Sequence, residues 1–329
     1  MVFKREVKIP EPCMPLSPGQ REHVNRFNEK VLSGAIKFEK VPCLCGSDDF
    51  KLLARYDRYS LLQDTVICKK CGLILSNPRM TDEEYRRFYE TDTYRRCYES
   101  YDYLEGYLER YNESLGRHMV DMVLKVKRPD QISGVLEFGA GGGWNLVAFK
   151  KKGFDVTGYD YSPTLVELGR KQGLNLFQGT VDSIKGKFDV IILSHVIEHF
   201  TDLRASMKKL KEHLNPDGIF YIEVPDMKNF GIGQLQNAHT YYFTLPTLEF
   251  YMSQSGLKLV YNGPAQGIHL GAIFKDGGEP LGRDFLRGRY AAQRNDIYGI
   301  IRMYYLKRSL VNFLDRIGLK KPIKRLVKR

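Results

Sequence analysis

No uninterrupted apolar run among the 329 residues approaches the ~20 that a membrane span needs, and the opening Met1-Val2-Phe3-Lys4-Arg5-Glu6 lacks the apolar stretch of a secretion signal. Both absences point to a soluble, cytoplasmic chain, and 43% apolar residues are enough for a sizeable core. Acid is almost missing from Ile301 to Arg329, where Asp315 alone stands against ten Lys or Arg. That stretch carries nine of the twelve net positive charges, so the preceding 300 residues are nearly balanced and offer no basic groove through the main domain. Cysteine is absent beyond position 97, and four of the six, at 43, 45, 68 and 71, form two close pairs. In a cytosolic chain such pairs suggest metal before disulfide.

What is present divides the chain into five parts. Residues 1–38 are Pro-rich and then charged, without a repeating pattern, and read as an arm. Residues 39–80 hold Cys43-Leu44-Cys45-Gly46 and, with 22 residues between Cys45 and Cys68, Cys68-Lys69-Lys70-Cys71-Gly72. Two thiolate pairs, each in a tight turn ended by glycine, can converge on one tetrahedral zinc and stabilise a segment too small for its own core. The second pair has the usual C-x-x-C spacing and the first is one residue short, so a ribbon that keeps its fold without metal stays open. Thiolates filling all four positions would make the zinc structural.

Residues 81–130 are rich in Tyr and charge. Thr81, followed by Glu84, marks a helix start with a capping box, and the tyrosines are expected to pack helices on the next domain, with Tyr94 or Tyr98 over a ligand as the alternative. In residues 131–276 short apolar runs alternate with helical stretches, the pattern of a parallel sheet covered by helices. Strands are expected at Val135–Phe138, Asp155–Tyr159, Leu174–Phe177, Val190–Leu193 and Ile219–Val224. Ser162-Pro163 starts a helix between two of them. Two more strands, near Lys258–Tyr261 and Ile268–Phe274 and joined by Asn262-Gly263-Pro264, would complete a seven-stranded sheet with an antiparallel edge. Residues 277–329 form a basic tail of two amphipathic pieces interrupted by Gly318 and Pro322.

The run Glu137-Phe138-Gly139-Ala140-Gly141-Gly142-Gly143 ends a strand in an acid and enters a glycine loop. Such glycines allow a sharp turn and close approach to a ligand, while the following helix offers its N–H groups. The dinucleotide fingerprint Gly-x-Gly-x-x-Gly would need glycine where this chain has Trp144. Asp160 ends the second strand 17 residues beyond Gly143, where a carboxylate can accept from both ribose hydroxyls of an adenosine.

With Thr157-Gly158-Tyr159-Asp160-Tyr161-Ser162-Pro163 and Phe188-Asp189-Val190-Ile191-Ile192-Leu193-Ser194-His195-Val196-Ile197-Glu198-His199, these motifs occur in the order found in class I S-adenosylmethionine-dependent methyltransferases, which residues 134–275 resemble. The resemblance implies an α/β, Rossmann-like seven-stranded fold carrying a zinc-ribbon-like N-terminal module and a basic helical tail. It also implies Glu137 near the donor's amino group, Gly139 and Gly141 against the donor, Asp160 on its ribose and Tyr161 beside its adenine. Val181 and Asp182 stand beside the adenine too, although Thr180 replaces the family's usual Asp. Ser194 and His195 line the methyl end. The module order, with Leu75-Ser76-Asn77-Pro78-Arg79 after the ribbon, is similar to that of bacterial surface-polysaccharide and sugar methyltransferases.

His195, Glu198 and His199 spell the inverted zinc-peptidase motif, but that motif belongs inside one helix and here it straddles a strand end and a loop. Methyl transfer to a hydroxyl or carbon acid needs a proton acceptor, for which His195 and His239 are the candidates. Glu198 and His199 are then expected to stabilise the loop over the donor. The acceptor is expected to be a small molecule or glycan, a sugar nucleotide or lipid-linked sugar for example. The tail of residues 301–329 then either packs on the domain or binds the inner face of an anionic membrane. An RNA methyltransferase using ribbon and tail, or a non-catalytic scaffold, are the alternatives. Against RNA, strand four ends Leu193-Ser194-His195-Val196 and lacks the Asn/Asp-Pro-Pro-Tyr/Phe motif of amino-directed enzymes.

Overall fold

In the computed structural model, which describes residues 9–91, 93–98, 109, 111–229, 232–265 and 267–316, the apolar runs after residue 133 become strands, the central ones buried on both faces. They are β6 (Gly134–Phe138), β7 (Asp155–Asp160), β8 (Asn175–Gln178), β9 (Phe188–Ser194), β10 (Leu214–Pro225), β12 (Leu257–Pro264) and β13 (His269–Asp276). Their order is β12-β13-β10-β9-β6-β7-β8. The first five are parallel, and β13 is antiparallel to both β10 and β12. The antiparallel strand therefore lies one place in from the expected edge. Asn262, Gly263 and Pro264 pair with Ala272, Gly271 and Leu270 as part of β12 instead of forming the turn.

Alternation along the strands assigns each side chain a face. Leu136, Ile191, Leu193, Phe220 and Ile222 enter one core layer, whereas Val135, Val190, Ile192, Tyr221 and Ile273 enter the other with Met119, Val120, Met122 and Val123 of the helix Arg117–Val123. Glu137 and Glu223 share the second face by the same alternation. Chain order reverses beside β6, whose neighbours are β7 and β9, so the ends of β6 and β9 open the crevice where doubly wound sheets bind ligands.

The N-terminal half is joined to this sheet by hydrogen bonds and by core. Its strands β2 (Phe50–Tyr56), β3 (Leu62–Cys68) and β4 (Ile74–Ser76) form a sheet completed by β11 (Tyr241–Tyr242), which comes from beyond β10. The short strands β1 (Phe38–Glu39) and β5 (Arg79–Met80) pair separately. Asp57 lies buried and joins three regions: its carboxylate accepts from the N–H groups of Tyr59 and Leu61 at 2.9 Å and of Asn237 at 3.1 Å, and from the Tyr98 hydroxyl. Burial, against those hydrogen bonds, raises the pKa of Asp57 above the ordinary carboxylate range. Tyr98 is thus a fold contact, and the Tyr94 hydroxyl accepts from Gln236 at 2.8 Å.

Two expectations change, and a third runs beyond the described residues. The stretch read as an arm contains the helix Pro18–Ser33, with a complete capping box between Ser17 and Gln20 and a left-handed Gly34 closing it. It buries Val24, Phe27 and Val31 against Tyr85, Phe88 and Tyr98, which gives a mostly polar helix its reason to form. At Thr81 only half the box exists: its hydroxyl accepts from Glu84 N–H, but the Glu84 carboxylate accepts from Lys37 N–H instead. The basic tail enters one helix, Arg289–Arg316, whose Ile297 is fully buried against Ile67, Ile74 and Tyr242. Gly318, Pro322 and the rest of 317–329 lie outside the described residues. No described helix is long and apolar enough to cross a membrane.

Candidate functional site

The glycine loop after β6 takes left-handed backbone at Gly139, Gly141 and Gly143, with φ of 74°, 55° and 80°. A Cβ at Gly139 would stand 2.4 Å from the Val196 side chain, so both conformation and space demand glycine there. The loop is held from two sides: Asp160 Oδ2 accepts from Gly141 N–H at 2.7 Å, and the Tyr111 hydroxyl donates to Gly142 O at 3.0 Å. Asp160 Oδ1 accepts from Ser162 N–H at 2.8 Å. Burial outweighs these bonds and raises the pKa of Asp160.

Glu137, at the end of β6, is 1% exposed. Its Oε1 accepts from Asn145 at 2.7 Å, and its Oε2 has no hydrogen-bond partner among the described residues. Burial pushes its pKa up to about 8 against the lowering effect of Asn145. A buried carboxyl with one idle oxygen beside a glycine loop is suited to receive a cation.

The other donor-side residues are placed differently. Tyr161 is 59% exposed, its ring edge-on to Phe138 at 6.4 Å. Val181 is buried in the core with Tyr159 and Ile184. Asp182 sits at the surface, 2.6 Å from Lys209 Nζ. Ser194 ends β9, paired with Glu223.

Beyond β9 the backbone turns at His195, whose φ of 55° is unusual for a residue with a side chain. Its N–H is tied to Glu223 O at 2.9 Å. The imidazole is half-exposed, with Nδ1 3.4 Å from Glu198 Oε1 and Nε2 4.0 Å from Glu223 Oε1. Burial works to lower its pKa, but Glu198 and Glu223 prevail and raise it.

Glu223 is the hub of a cluster not evident in the sequence motifs. Its Oε2 accepts from Tyr221 at 2.7 Å and lies 2.8 Å from His118 Nε2, while Oε1 is 3.2 Å from His269 Nδ1. Burial alone would raise this carboxyl; the hydrogen bonds from His118, His269 and Tyr221 hold it down at about 2. His269 and His195 meet edge-on with ring centres 4.3 Å apart. His239 is 6% exposed, its ring 4.8 Å from that of His199. Burial, followed by the fields of His199, Arg58 and His195, depresses its pKa well below the usual histidine value, so it is neutral near pH 7. A signal for the hub was available: Glu223 is the only charge in the apolar run Ile219–Val224.

The four paired cysteines also converge. Cys43 and Cys71 sulfurs are 3.5 Å apart and those of Cys45 and Cys68 3.7 Å apart, with all four within 4.8 Å of one another. A tetrahedron of thiolates ~2.3 Å from zinc has edges of ~3.8 Å, so the set fits. The short C-x-C spacing closes because Gly46 turns left-handed at φ 80° and its N–H returns to Cys43 O at 2.7 Å. The Tyr251 hydroxyl reaches Cys71 Sγ at 3.1 Å, which ties the cluster to the helix Leu245–Ser253.

Comparison with known proteins adds the following. A family model described as a methyltransferase domain matches residues 98–262. The ubiquinone biosynthesis O-methyltransferase of Rickettsia prowazekii is 28% identical over 125 residues, covering 36% of this chain and 50% of that protein. C-methyltransferase NovU of Streptomyces niveus is 25% identical over 225 residues, covering 64% and 50%. The chain thus spans about half the length of these curated relatives. Among solved structures, Burkholderia thailandensis 1,6-didemethyltoxoflavin-N1-methyltransferase aligns with a TM-score of 0.47 and 20% identity, over 62% of this chain and 95% of that one.

Proposed function

The chain belongs to the methyltransferase-domain family, and from that premise we propose that it transfers the methyl group of S-adenosylmethionine to a hydroxyl or acidic carbon of a small-molecule or glycan acceptor. The observation that carries the reading is the idle oxygen of buried Glu137 beside a glycine loop latched by Asp160, with His195 half-exposed at the end of the neighbouring strand. Bound there, S-adenosylmethionine supplies an electrophilic methyl on a sulfonium. Glu137 would receive the donor's ammonium, the backbone of Gly139 and Gly141 would line its path, and Asp160 would accept from its ribose through lone pairs its two N–H partners leave free. Tyr161, Val181 and Asp182 would hold the adenine end, and Ser194 would lie towards the methyl.

On the acceptor side His195 is the base. It is accessible, Glu198 lies behind its Nδ1, and Glu223 stands on the Nε2 side. His239, buried with its ring 4.8 Å from that of His199, stands behind this turn as the second candidate. Alignment of acceptor and methyl supplies much of the rate, and proton removal the rest. A glycan acceptor is supported by the module order, and an acidic carbon as the acceptor atom by the likeness to C-methyltransferase NovU.

Calorimetry tests the donor directly: S-adenosylmethionine and S-adenosylhomocysteine should each bind with one site per chain. Binding of a nicotinamide dinucleotide in their place would sink the reading. Zinc at Cys43, Cys45, Cys68 and Cys71 is part of the same proposal. Elemental analysis should find one zinc at this cluster, and Cys71→Ser should lower Tm by at least ~5 °C, since the cluster lies in the core shared by both halves. A metal-free chain with the Tm of the zinc-loaded one would leave the ribbon without its metal.

A further inference from the structure

Five of the chain's seven histidines, at 118, 195, 199, 239 and 269, fall in one connected patch, and two of its members are not satisfied by their surroundings. Glu198 is 1% exposed, yet neither of its carboxylate oxygens accepts a hydrogen bond among the described residues, and its nearest cation-forming neighbour is His195 Nδ1 at 3.4 Å. His239 Nδ1 is buried without a partner. Buried polar groups are nearly always paired, so a carboxylate and an imidazole left idle side by side call for a missing third party.

His199 completes the set. Its Nδ1 lies 3.0 Å from Ala238 O and 3.0 Å from the Tyr89 hydroxyl. A carbonyl oxygen only accepts, so Nδ1 carries the proton and Nε2 keeps a free lone pair, as in histidines whose other ring nitrogen is held by a carbonyl while the first binds metal. One ligand atom from each of Glu198, His199 and His239 lies within 4.8 Å of the other two. We propose that these three residues form a binding site for a divalent first-row transition metal ion, with His199 offering Nε2, His239 Nδ1 and Glu198 a carboxylate oxygen.

Two imidazoles and a carboxylate suit zinc, iron(II) or cobalt(II) better than calcium or magnesium, which prefer oxygen alone. An ion ~2.1 Å from each ligand needs them ~3.0–3.5 Å apart. The contraction is available because no hydrogen bond holds the Glu198 carboxylate or His239 Nδ1 in place. The Glu223 cluster is the poorer host, since its carboxylate is already shared among His118, His269 and Tyr221. Nor is this the peptidase motif. Ile197–His199 form a single 3-10 turn, His195 lies toward Glu223, and the third ligand comes from the distant segment before β11. An ion here would neutralise Glu198 and join the turn after β9 to the loop carrying His239, fixing the floor of the acceptor cleft.

The test uses the full chain with its four-cysteine site first loaded with zinc, titrated with cobalt(II) in the absence of methyl donor. One further cobalt per chain is expected, without the near-ultraviolet thiolate-to-cobalt band, and X-ray absorption should give a nitrogen and oxygen shell with imidazole scattering. Glu198→Gln and His239→Gln should each weaken uptake by at least the 10–100-fold that loss of an outer partner costs. His213→Gln, at an exposed histidine bonded to Gly186 O, should leave it unchanged. No cobalt beyond the thiolate site, or sulfur in the shell of the added ion, overturns the proposal, as does uptake indifferent to both ligand variants. The wild-type spectrum decides even if a variant does not fold. Donor binding is read separately by calorimetry, so failure of the methyl-transfer reading and failure of this one give different results.

Discussion

Glu137→Gln is expected to melt higher than the wild-type chain at pH 8 in the absence of ligand, and to bind S-adenosylmethionine at least ~10-fold more weakly, the loss of one hydrogen bond to a charged group. Both effects follow from a carboxyl buried beyond the reach of water with one oxygen unused. Burial raises its pKa from 4.5 to about 8, so between those values the folded chain holds a proton that the unfolded chain has released. Stability therefore falls as pH rises through that window, by about 1.36 kcal/mol per unit and up to roughly 5 kcal/mol across it. Glutamine keeps the hydrogen bond with Asn145 and carries none of this dependence, so the gap in Tm between variant and wild type should widen from pH 5 to pH 8.

Donor binding has the opposite sign. An ammonium beside Glu137 favours the ionised carboxylate, so binding expels the proton. Affinity of the wild type should rise between pH 6 and 7.5, and the calorimetric enthalpy should depend on the buffer's heat of ionisation, with close to one proton released at pH 7. The variant should show neither. Wild-type affinity in Glu137→Gln would remove Glu137 from the donor site. The trade is the one expected where a binding group is kept at the cost of the free protein's stability.

That residue and the sheet behind it were legible in the sequence because each left a local mark. Val190 to Leu193 and Ile219 to Val224 are apolar runs that only a doubly covered strand accommodates, and the glycines after Glu137 occupy positions where the backbone is left-handed. The helix Pro18–Ser33 left a mark too, Ser17 with Gln20 and then Gly34, but its polar composition hid it. Its buried Val24, Phe27 and Val31 gain partners from residues far along the chain, Tyr85, Phe88 and Tyr98 among them. The same distance hid the cluster around Glu223. His118 comes from a helix before the sheet, Glu223 from near the end of β10 and His269 from the start of β13, and no spacing rule connects them. They meet because the antiparallel β13 sets His269 opposite Pro225, and β10 delivers Glu223 to the same strand ends. Where function depends on side chains brought together by sheet order, sequence pattern names the strands and leaves the pairing to topology.

The second large effect belongs to His195. His195→Gln should reduce kcat by ~10²–10⁴-fold, the usual contribution of a positioned proton acceptor, while the affinity for S-adenosylhomocysteine stays within about twofold of wild type. The split is expected because Glu137, the glycine loop and Asp160 lie on the other side of β9's end and share no hydrogen bond with the imidazole. His195 stands in a left-handed conformation that a β-strand end does not require, held by its N–H on Glu223 O at 2.9 Å. Strain of this kind persists where the surroundings over-determine it, and here it brings the ring between two carboxylates. In the chain without added metal, Glu198→Gln should lower kcat through His195, by less than loss of the imidazole itself, because the amide 3.4 Å from Nδ1 no longer stabilises the charged ring. An equal fall in donor affinity in His195→Gln would point to a collapsed strand end in place of a missing base. Unchanged turnover in that variant would transfer the role to another histidine of the cleft, and His269→Gln, whose ring lies 4.3 Å away, would be the next to measure.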